Sequence, residues 1–351
     1  MVLENAMIGA VMRLLIALAV VTAVTAPASA QKVTIAVVPS VPGGTTYVAL
    51  DKGYFRDAGL DVDIERIDSL GKAVAFLATN QVQVAQGGIN AGFYNAVAQG
   101  LPVALALESG SSPTYHRIIV RTDLKDRIRT PADLKGRVVG LSSPGSTSMY
   151  EVASVLASAK LELKDIEPKN LAFSQMAAAM TNGALDAAME VAPFTERMIE
   201  QKVGVPWIDP DDYIQPLPMS SVGYIVNTDW AQNNHDTAKK LFVALARAGR
   251  DYCQAYHHGP NRGEIINIFM KNRIGTDRDL LDRMSWQSRT PNGEFNVASI
   301  VDMQAFFKRE GTIDKTSSAE KLVDPSYAAD VAKELGPFEL INKASPLKGC
   351  R

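Results

Sequence analysis

Apolar and polar positions repeat with two different periods along the chain after residue 30. Short apolar or alternating runs predict strands, and apolar positions three or four residues apart predict helices. The clearest case is the strand Val138–Leu141, followed by the small residues 142–146 and then by Met149, Val152 and Leu156 on one predicted helix face. The repeated order of strand, turn and helix is typical of an α/β fold.

The same order recurs in two blocks of the chain. The first block has predicted strands at 33–38, 61–67, 82–85 and 102–107, with predicted helices at 47–52, 71–79 and 93–99. In the second block, a helix at 174–181 and a strand at 185–191 repeat the order seen at 71–85. Two alternating segments, 116–122 and 221–227, have no helix close beside them, and we interpret them as hinge strands that join the blocks.

Beyond residue 227 the pattern becomes helical. Leu241, Phe242 and Leu245 lie on one face of a predicted helix that starts at Asn234 or Asp236. Further helices are predicted near 264–271, 296–309 and 325–335, and we expect them to wrap the first block.

Small and hydroxyl-bearing residues follow the predicted strands at four places. Turns at the carboxyl edge of parallel strands converge on the usual ligand position of such sheets, and free N–H groups at helix starts suit an anion without a dedicated Arg. We therefore expect a ligand cradle, with Ser143, Ser146 and Thr147 as its main contacts, although a merely well-capped helix would show the same residues. The other turn residues predicted to bind are Gly43, Gly44, Thr45, Thr46, Gly88, Ile89, Asn90, Ser109, Ser111 and Gly145.

The N-terminal segment has the three regions of a cleavable secretory signal. Arg13 precedes an apolar run, and Ala-Ser-Ala ends at residue 30, so the mature chain is expected to begin at Gln31. The apolar run is short for a membrane span, and no later segment reaches eighteen uninterrupted apolar residues. We therefore expect an exported protein without a membrane anchor.

Composition and charge narrow the classes of partner. The 351 residues, 46% of them hydrophobic, are enough for two α/β lobes with proper cores. A net charge of −2 argues against nucleic acid as a partner and favours a small molecule.

The two cysteines and four histidines are candidate structural or metal-binding residues. In an exported protein, Cys253 and Cys350 form either one disulfide or two free thiols, and the sequence leaves both possibilities open. His116, His235, His257 and His258 show no metal-ligand spacing, so no metal site and no cofactor are predicted, and solvated or capping roles are expected for them.

Several motifs resemble one family. Residues 49–62 read Ala-Leu-Asp-Lys-Gly-Tyr-Phe-Arg-Asp-Ala-Gly-Leu-Asp-Val and resemble the opening signature of periplasmic substrate-binding proteins for sulfonate, nitrate, taurine and thiamine precursors, the NMT1/THI5-like type. Residues 133–137 with 143–146, and 182–188 with Pro193, resemble two further motifs of these proteins. The stretches at 291–294, 306–311 and 322–336 resemble the closing helices, so the resemblance spans nearly all of the mature chain.

This resemblance implies an α/β, type II periplasmic-binding-protein fold. Two α/β lobes joined by two hinge strands would close on a ligand in the cleft between them. The expected division is a signal peptide at 1–30, lobe I at 31–115 and again at 223–351, and lobe II at 116–222. Glu190 and Pro193, in a turn near the expected cleft, and Tyr224 on the second hinge strand complete the predicted site, with the acid tuning which ligands are accepted.

The function implied is delivery of a small organic ligand, of carboxylate or sulfonate type, to an ABC importer in the inner membrane. The expected protein is a periplasmic monomer and not an enzyme, because neither cysteine lies near a cleft turn and no Ser occupies a nucleophile elbow. Two alternatives stay open: a sensory protein that reports the same ligand to a membrane receptor, and an enzyme on the same fold.

Overall fold

The computed structural model describes residues 31–67 and 70–351. The predicted signal segment and its cleavage point before Gln31 lie outside this part of the chain. The strands are β1 (Gln31–Val37), β2 (Leu60–Arg66), β3 (Val84–Gly88), β4 (Val103–Ser111), β5 (Arg117–Arg121), β6 (Val138–Leu141), β7 (Glu167–Asn170), β8 (Ala187–Glu190), β9 (Gly204–Ile208) and β10 (Ser220–Asn227). The helices are α1 (Gly44–Asp51), α2 (Tyr54–Asp57), α3 (Leu70–Ala78), α4 (Ala91–Ala98), α5 (Thr147–Ser158), α6 (Phe173–Thr181), α7 (Phe194–Glu200), α8 (Thr228–Asn233), α9 (His235–Tyr256), α10 (Arg262–Lys271), α11 (Arg278–Arg283), α12 (Val297–Arg309), α13 (Ala319–Leu322) and α14 (Ser326–Leu335).

The strands form two five-stranded sheets built on the same plan. The first has the order β2-β1-β3-β10-β4 and the second the order β7-β6-β8-β5-β9. β1 and β3 are parallel, as are β6 and β8, whereas β10 and β5 run antiparallel to both of their neighbours. In each sheet, the strand that follows a crossing of the chain between the sheets therefore runs antiparallel to its two neighbours.

The chain crosses from the first sheet to the second between Ser111 and Arg117, and it returns between Ile208 and Ser220. The segments predicted as hinge strands correspond to β5 and β10, which lie inside the sheets directly after the two crossings. Asp211 joins the crossings, because its carboxylate accepts hydrogen bonds from Ser112 Oγ at 2.8 Å and from Thr114 N at 2.7 Å.

The long C-terminal helix α9 packs against elements of the first sheet, whereas α12 contacts both β10 of the first sheet and α5, which follows β6 of the second. Leu241, Phe242 and Tyr252 on α9 are fully buried, and α9 contacts α1, α2, α14 and β4. The tail returns to this helix, where Cys350 forms a disulfide with Cys253 across a Cα–Cα distance of 5.1 Å. Within the described ranges, no helix is both long and apolar enough to span a membrane.

Several predicted turns belong to regular elements instead. α1 begins at Gly44, three residues earlier than predicted, and therefore includes Thr45 and Thr46. β4 continues through Ser109 to Ser111, because Ser111 pairs with Ser220 and its N–H donates to Ser288 O at 2.8 Å. These polar residues are typical of loops, but here their backbone groups form hydrogen bonds with neighbouring segments of the chain. The local sequence pattern does not reveal such partners.

Candidate functional site

A cavity of about 410 Å³ lies where the turns of the two sheets meet. Both sheets contribute to its walls, through residues that follow β1 and β3 on one side and β6 and β8 on the other. The lining residues are Val38, Ser40, Val41, Pro42, Leu70, Gly87, Gly88, Asn90, Thr114, His116, Ser142, Ser143, Ser146, Thr147, Ala172, Phe173, Met189, Val191, Ala192, Ser221, Val222, Trp286 and Gln287. Hydroxyl, amide and imidazole groups therefore share the cavity with apolar and aromatic side chains.

The turn before α5 gives the cavity its hydroxyl groups. Ser146 Oγ donates to Ser143 O at 2.6 Å and also bonds with Ser148 Oγ at 2.8 Å, so this hydroxyl is used within the turn. The hydroxyls of Ser143 and Thr147 form no hydrogen bond to any other described residue. Together with the backbone N–H groups of Thr147 and Ser148, for which no acceptor is found among the described residues, they are available to a polar ligand.

The parts of the chain that carry the two sheets touch at this turn. Ala91 N, at the start of α4, donates to Gly145 O at 2.9 Å. Gly145 has a φ of +66°, and a Cβ placed on it would lie 2.6 Å from Ala91 Cβ. Nearby, a Cβ on Gly88 would lie 3.6 Å from Thr147 Oγ1. Glycine at position 145 therefore permits this close approach, whereas a Cβ on Gly88 would make only an ordinary van der Waals contact.

His116 lines the cavity at the end of the first crossing. Its Nδ1 lies 2.7 Å from Glu151 Oε1 on α5, and Glu151 is fully buried. Burial lowers the pKa of His116, but the carboxylates of Glu151, Asp211 and Asp209 outweigh that effect and raise its pKa above the usual value. The structure thus corrects the expectation of a solvated or capping histidine at this position.

Gln287, from the C-terminal part of the chain, is a further polar residue that lines the cavity. Gln287 Nε2 donates to Ser221 Oγ at 2.7 Å, and Ser221 Oγ donates to Gly110 O at 3.3 Å. Trp286, which also lines the cavity, donates its indole N–H to Leu281 O at 2.9 Å. Both residues are positioned by hydrogen bonds that leave part of each side chain facing the cavity.

Five predicted ligand residues line the cavity: Gly88, Asn90, Ser143, Ser146 and Thr147. Asn90 caps α4, since its Oδ1 accepts from Phe93 N at 3.2 Å and its Nδ2 donates to Gly88 O at 3.3 Å. The predicted residues that are not among the lining residues are Gly43, Gly44, Thr45, Thr46, Ile89, Ser109, Ser111, Gly145, Glu190, Pro193 and Tyr224.

Residues 43–46 of the first predicted turn are held by buried hydrogen bonds and are not among the lining residues. The hydroxyls of Thr45 and Thr46 lie 3.2 and 2.9 Å from Tyr224 Oη. Arg289, also buried, donates to Thr45 Oγ1 at 3.2 Å and to Pro42 O at 3.0 Å. These contacts hold the lining residues Ser40, Val41 and Pro42 in place.

The surroundings of Glu190 differ from the turn near the cleft that the sequence predicts. Its side chain is fully buried in β8, and burial raises its pKa to about 9. The carboxyl group is therefore neutral at pH 7 and would not repel an anion in the cavity.

Sequence reasoning missed Thr114, His116 and Gln287, which lie outside the glycine- and serine-rich turns. The partner of His116, Glu151, is 35 positions away on a helix and carries no local signal. Among the described residues, no three side chains of His, Cys, Asp or Glu form a group that could hold a metal ion.

Comparison with known proteins supplies the family context. Residues 44–256 match the family model described as NMT1/THI5 like. No match was found among curated protein sequences.

Solved structures share the fold. The nitrate-binding protein NrtA from Synechocystis PCC 6803 aligns with a TM-score of 0.70 and 14% identity, over 92% of this chain and 92% of that one. The aliphatic sulphonate binding protein SsuA from Escherichia coli aligns with a TM-score of 0.68 and 18% identity, over 84% of this chain and 92% of that one. A DSZB variant in complex with biphenyl-2-sulfinic acid aligns with a TM-score of 0.57 and 14% identity, over 86% of this chain and 99% of that one. The predicted type II periplasmic-binding fold is confirmed.

Proposed function

This chain belongs to the NMT1/THI5-like family, and on that premise we propose that it is a periplasmic solute-binding protein that captures a small organic anion for an ABC importer. The observation that carries the proposal is the cavity of about 410 Å³ with walls from both sheets. A ligand held by two lobes at once favours their closure, and closure is a signal that a permease can recognise.

The size and lining of the cavity support an organic ligand. Sites for organic molecules usually have volumes of about 300–1,000 Å³ and combine apolar walls with a few polar groups. Leu70, Phe173, Met189 and Trp286 provide such walls here. We therefore propose a ligand with an apolar or aromatic body.

The polar groups support an anionic head on that ligand. The hydroxyls of Ser143 and Thr147 and the start of α5 offer hydrogen-bond donors at one side of the cavity, and the partial positive charge of a helix N-terminus favours an anion. Carboxylates and sulfonates both fit these donors. NrtA and SsuA, which share the fold, bind nitrate and aliphatic sulphonates by their names.

Binding without catalysis is part of the proposal. Its support is that Cys253 on α9 and Cys350 in the C-terminal tail are joined to each other and do not line the cavity. We further propose that the chain acts as a monomer and that its partner is the permease of the importer.

The periplasmic location rests on the predicted signal segment. N-terminal sequencing of the exported protein is expected to begin at Gln31. An exported protein that retains its apolar N-terminus would contradict cleavage at this position.

A thermal-shift screen tests the function. The compounds are aromatic and aliphatic carboxylates, their sulfonate analogues, nitrate and pyrimidines, together with neutral amides matched to the acids. A ligand present at a thousand times its Kd adds about 4 kcal/mol of stability, so a large upward shift in Tm is expected with an organic anion. If nothing in the screen shifts Tm, the binding function is wrong, and if only neutral or cationic compounds do so, the anionic ligand class is wrong.

A further inference from the structure

His116 is the one ionisable side chain among the cavity-lining residues of the described chain. Every other polar residue that lines the cavity is a Ser, a Thr, an Asn or a Gln. A charge on His116 is therefore the strongest electrostatic feature that a ligand would meet on the cavity wall.

The imidazole ring of His116 is held by a contact at one of its two nitrogens, Nδ1. Glu151 Oε1 lies 2.7 Å from Nδ1, and the backbone N–H of His116 donates to Thr114 Oγ1 at 3.3 Å. Nε2, the other ring nitrogen, forms no hydrogen bond within residues 31–67 and 70–351. The ring thus has one nitrogen engaged by the protein and one nitrogen free at a residue that lines the cavity.

Burying this pair needs an explanation. Glu151 is fully buried and its Oε2 has no hydrogen-bond partner in the described chain. A buried ion pair contributes little to stability compared with apolar side chains of the same size, because both charges lose their hydration. Titratable groups held in this way at a cavity wall are characteristic of functional sites.

We propose that His116 binds the anionic group of the ligand through Nε2, and that Glu151 acts as a positioning residue that holds the imidazole in its charged form. This inference rests on the proposed solute-binding function and names the residue that recognises charge. With Nδ1 donating to Glu151, the protonated ring also donates from Nε2, whereas the neutral ring offers a lone pair there that repels an anion.

The charged groups around His116 set the direction of its titration. Glu151 faces it from α5, Asp209 and Asp211 face it from the return crossing, and Arg117 donates to the carbonyl oxygen of His116 at 2.6 Å. Arg117 is itself paired with Asp209 at 2.5 Å. The three carboxylates favour the imidazolium, so its pKa is raised. Affinity for an anion should be highest below that pKa and should fall as the pH rises through it.

The test uses a sulfonate, whose charge does not change between pH 5 and 9. Benzenesulfonate and the neutral benzenesulfonamide are titrated calorimetrically into the wild-type protein, His116→Gln and the control His235→Gln, which alters an exposed histidine at the start of α9. If another acid gives the larger shift in the screen, it and its amide are the probes. We expect His116→Gln to weaken anion binding about 10- to 100-fold at pH 6, the loss of a hydrogen bond to a charged group, and to remove the pH dependence. The amide and the control variant should show neither effect.

Glu151→Gln separates a positioning role from a structural one. Without the carboxylate the pKa of His116 falls, so anion binding should be weak at pH 7 and should recover at pH 5. The wild-type protein gives a further measurement that needs no variant: titrations in buffers of different ionisation enthalpy should show uptake of protons on anion binding at alkaline pH, where the imidazole of the unliganded protein is neutral.

The outcomes are distinct. If an anion binds with the same affinity and pH profile in wild type and His116→Gln, and no protons are taken up, the role of His116 is wrong and the binding function stands. If only neutral compounds bind, the charge recognition is wrong. If no compound in the screen binds, the solute-binding function and the role of His116 both fail.

Discussion

Ala91 N donates a hydrogen bond of 2.9 Å to the carbonyl oxygen of Gly145, and this bond joins the two lobes directly beside the ligand cavity. Ala91 starts helix α4 next to the first sheet, whereas Gly145 lies in the turn between β6 and α5 of the second. The left-handed φ of +66° at Gly145 and the absence of a Cβ both permit this approach. We therefore expect this bond to form when the two lobes close on a ligand and to break when they open.

Gly145→Ala should weaken ligand binding while the protein stays folded. The new Cβ would lie 2.6 Å from Ala91 Cβ only when the lobes meet. Overpacking of this kind costs about 1–3 kcal/mol, which corresponds to roughly 5- to 150-fold in affinity. Calorimetry with the best ligand from the screen measures this change.

Gly136→Ala is the matched control for that substitution. Gly136 also has a positive φ, +70°, but a Cβ there would meet no atom within 4 Å. Both variants should lose about 1–2 kcal/mol of stability through backbone strain, yet only Gly145→Ala should lose affinity. Equal affinities in the two variants would show that the lobes do not need this contact to close.

Thr147 and Ser146 are adjacent hydroxyl residues with different expected roles. Thr147→Val removes a hydroxyl that has no protein partner among the described residues, so it should reduce affinity about 10- to 100-fold by losing a bond to a charged ligand. Ser146→Ala removes the bonds to Ser143 O and Ser148 Oγ and should reduce stability by about 1 kcal/mol with little change in affinity. The reverse result, in titration and chemical denaturation, would place Ser146 in contact with the ligand instead.

Glu190 should make stability depend on pH. Burial raises its pKa to about 9, whereas a Glu in an unfolded chain has a pKa of about 4.3. Between these values the folded chain holds a proton that the unfolded chain has lost, so stability falls as the pH rises. Glu190→Gln should remove this component, and denaturation at pH 5 and pH 8 should show a smaller difference than in wild type. The exposed Glu65→Gln serves as control, and an unchanged difference in Glu190→Gln would mean that this carboxyl ionises normally.

The disulfide between Cys253 and Cys350 should matter for stability more than for binding. It closes a loop with a sequence separation of 97 residues, for which the chain-entropy relation gives about 4–5 kcal/mol. The double variant Cys253→Ser, Cys350→Ser should therefore unfold at a much lower denaturant concentration and bind ligand as wild type does. Mass spectrometry after alkylation under denaturing conditions checks the bond itself, since alkylation of both cysteines without reduction would show free thiols.

The sequence by itself determined the fold class and the family. The features that carried these predictions are local: the strand and helix periods, the signal-like N-terminus, and motifs such as residues 49–62. The spacing of apolar residues also indicates which face of an element is buried. The sequence also predicts the turns around Gly88, Asn90 and Thr147, because strand-to-helix turns in α/β sheets lie at one edge of the sheet.

Only the tertiary structure decided which of those turn residues face the cavity. Ser109 and Ser111 lie in β4, and Thr45 and Thr46 bond with Tyr224, because neighbouring strands and helices supply partners that the local pattern does not contain. Whether a hydroxyl is free or already bonded depends on these neighbours, as the contrast between Ser146 and Thr147 shows.

The pairing of distant residues was also beyond the sequence. His116 meets Glu151 because the first crossing passes beside α5, and Ala91 meets Gly145 because two sheets on separate parts of the chain come together. Periodicity describes one element at a time, whereas a charge pair or a contact between lobes depends on the distance between elements. That distance is set by the packing of the whole molecule.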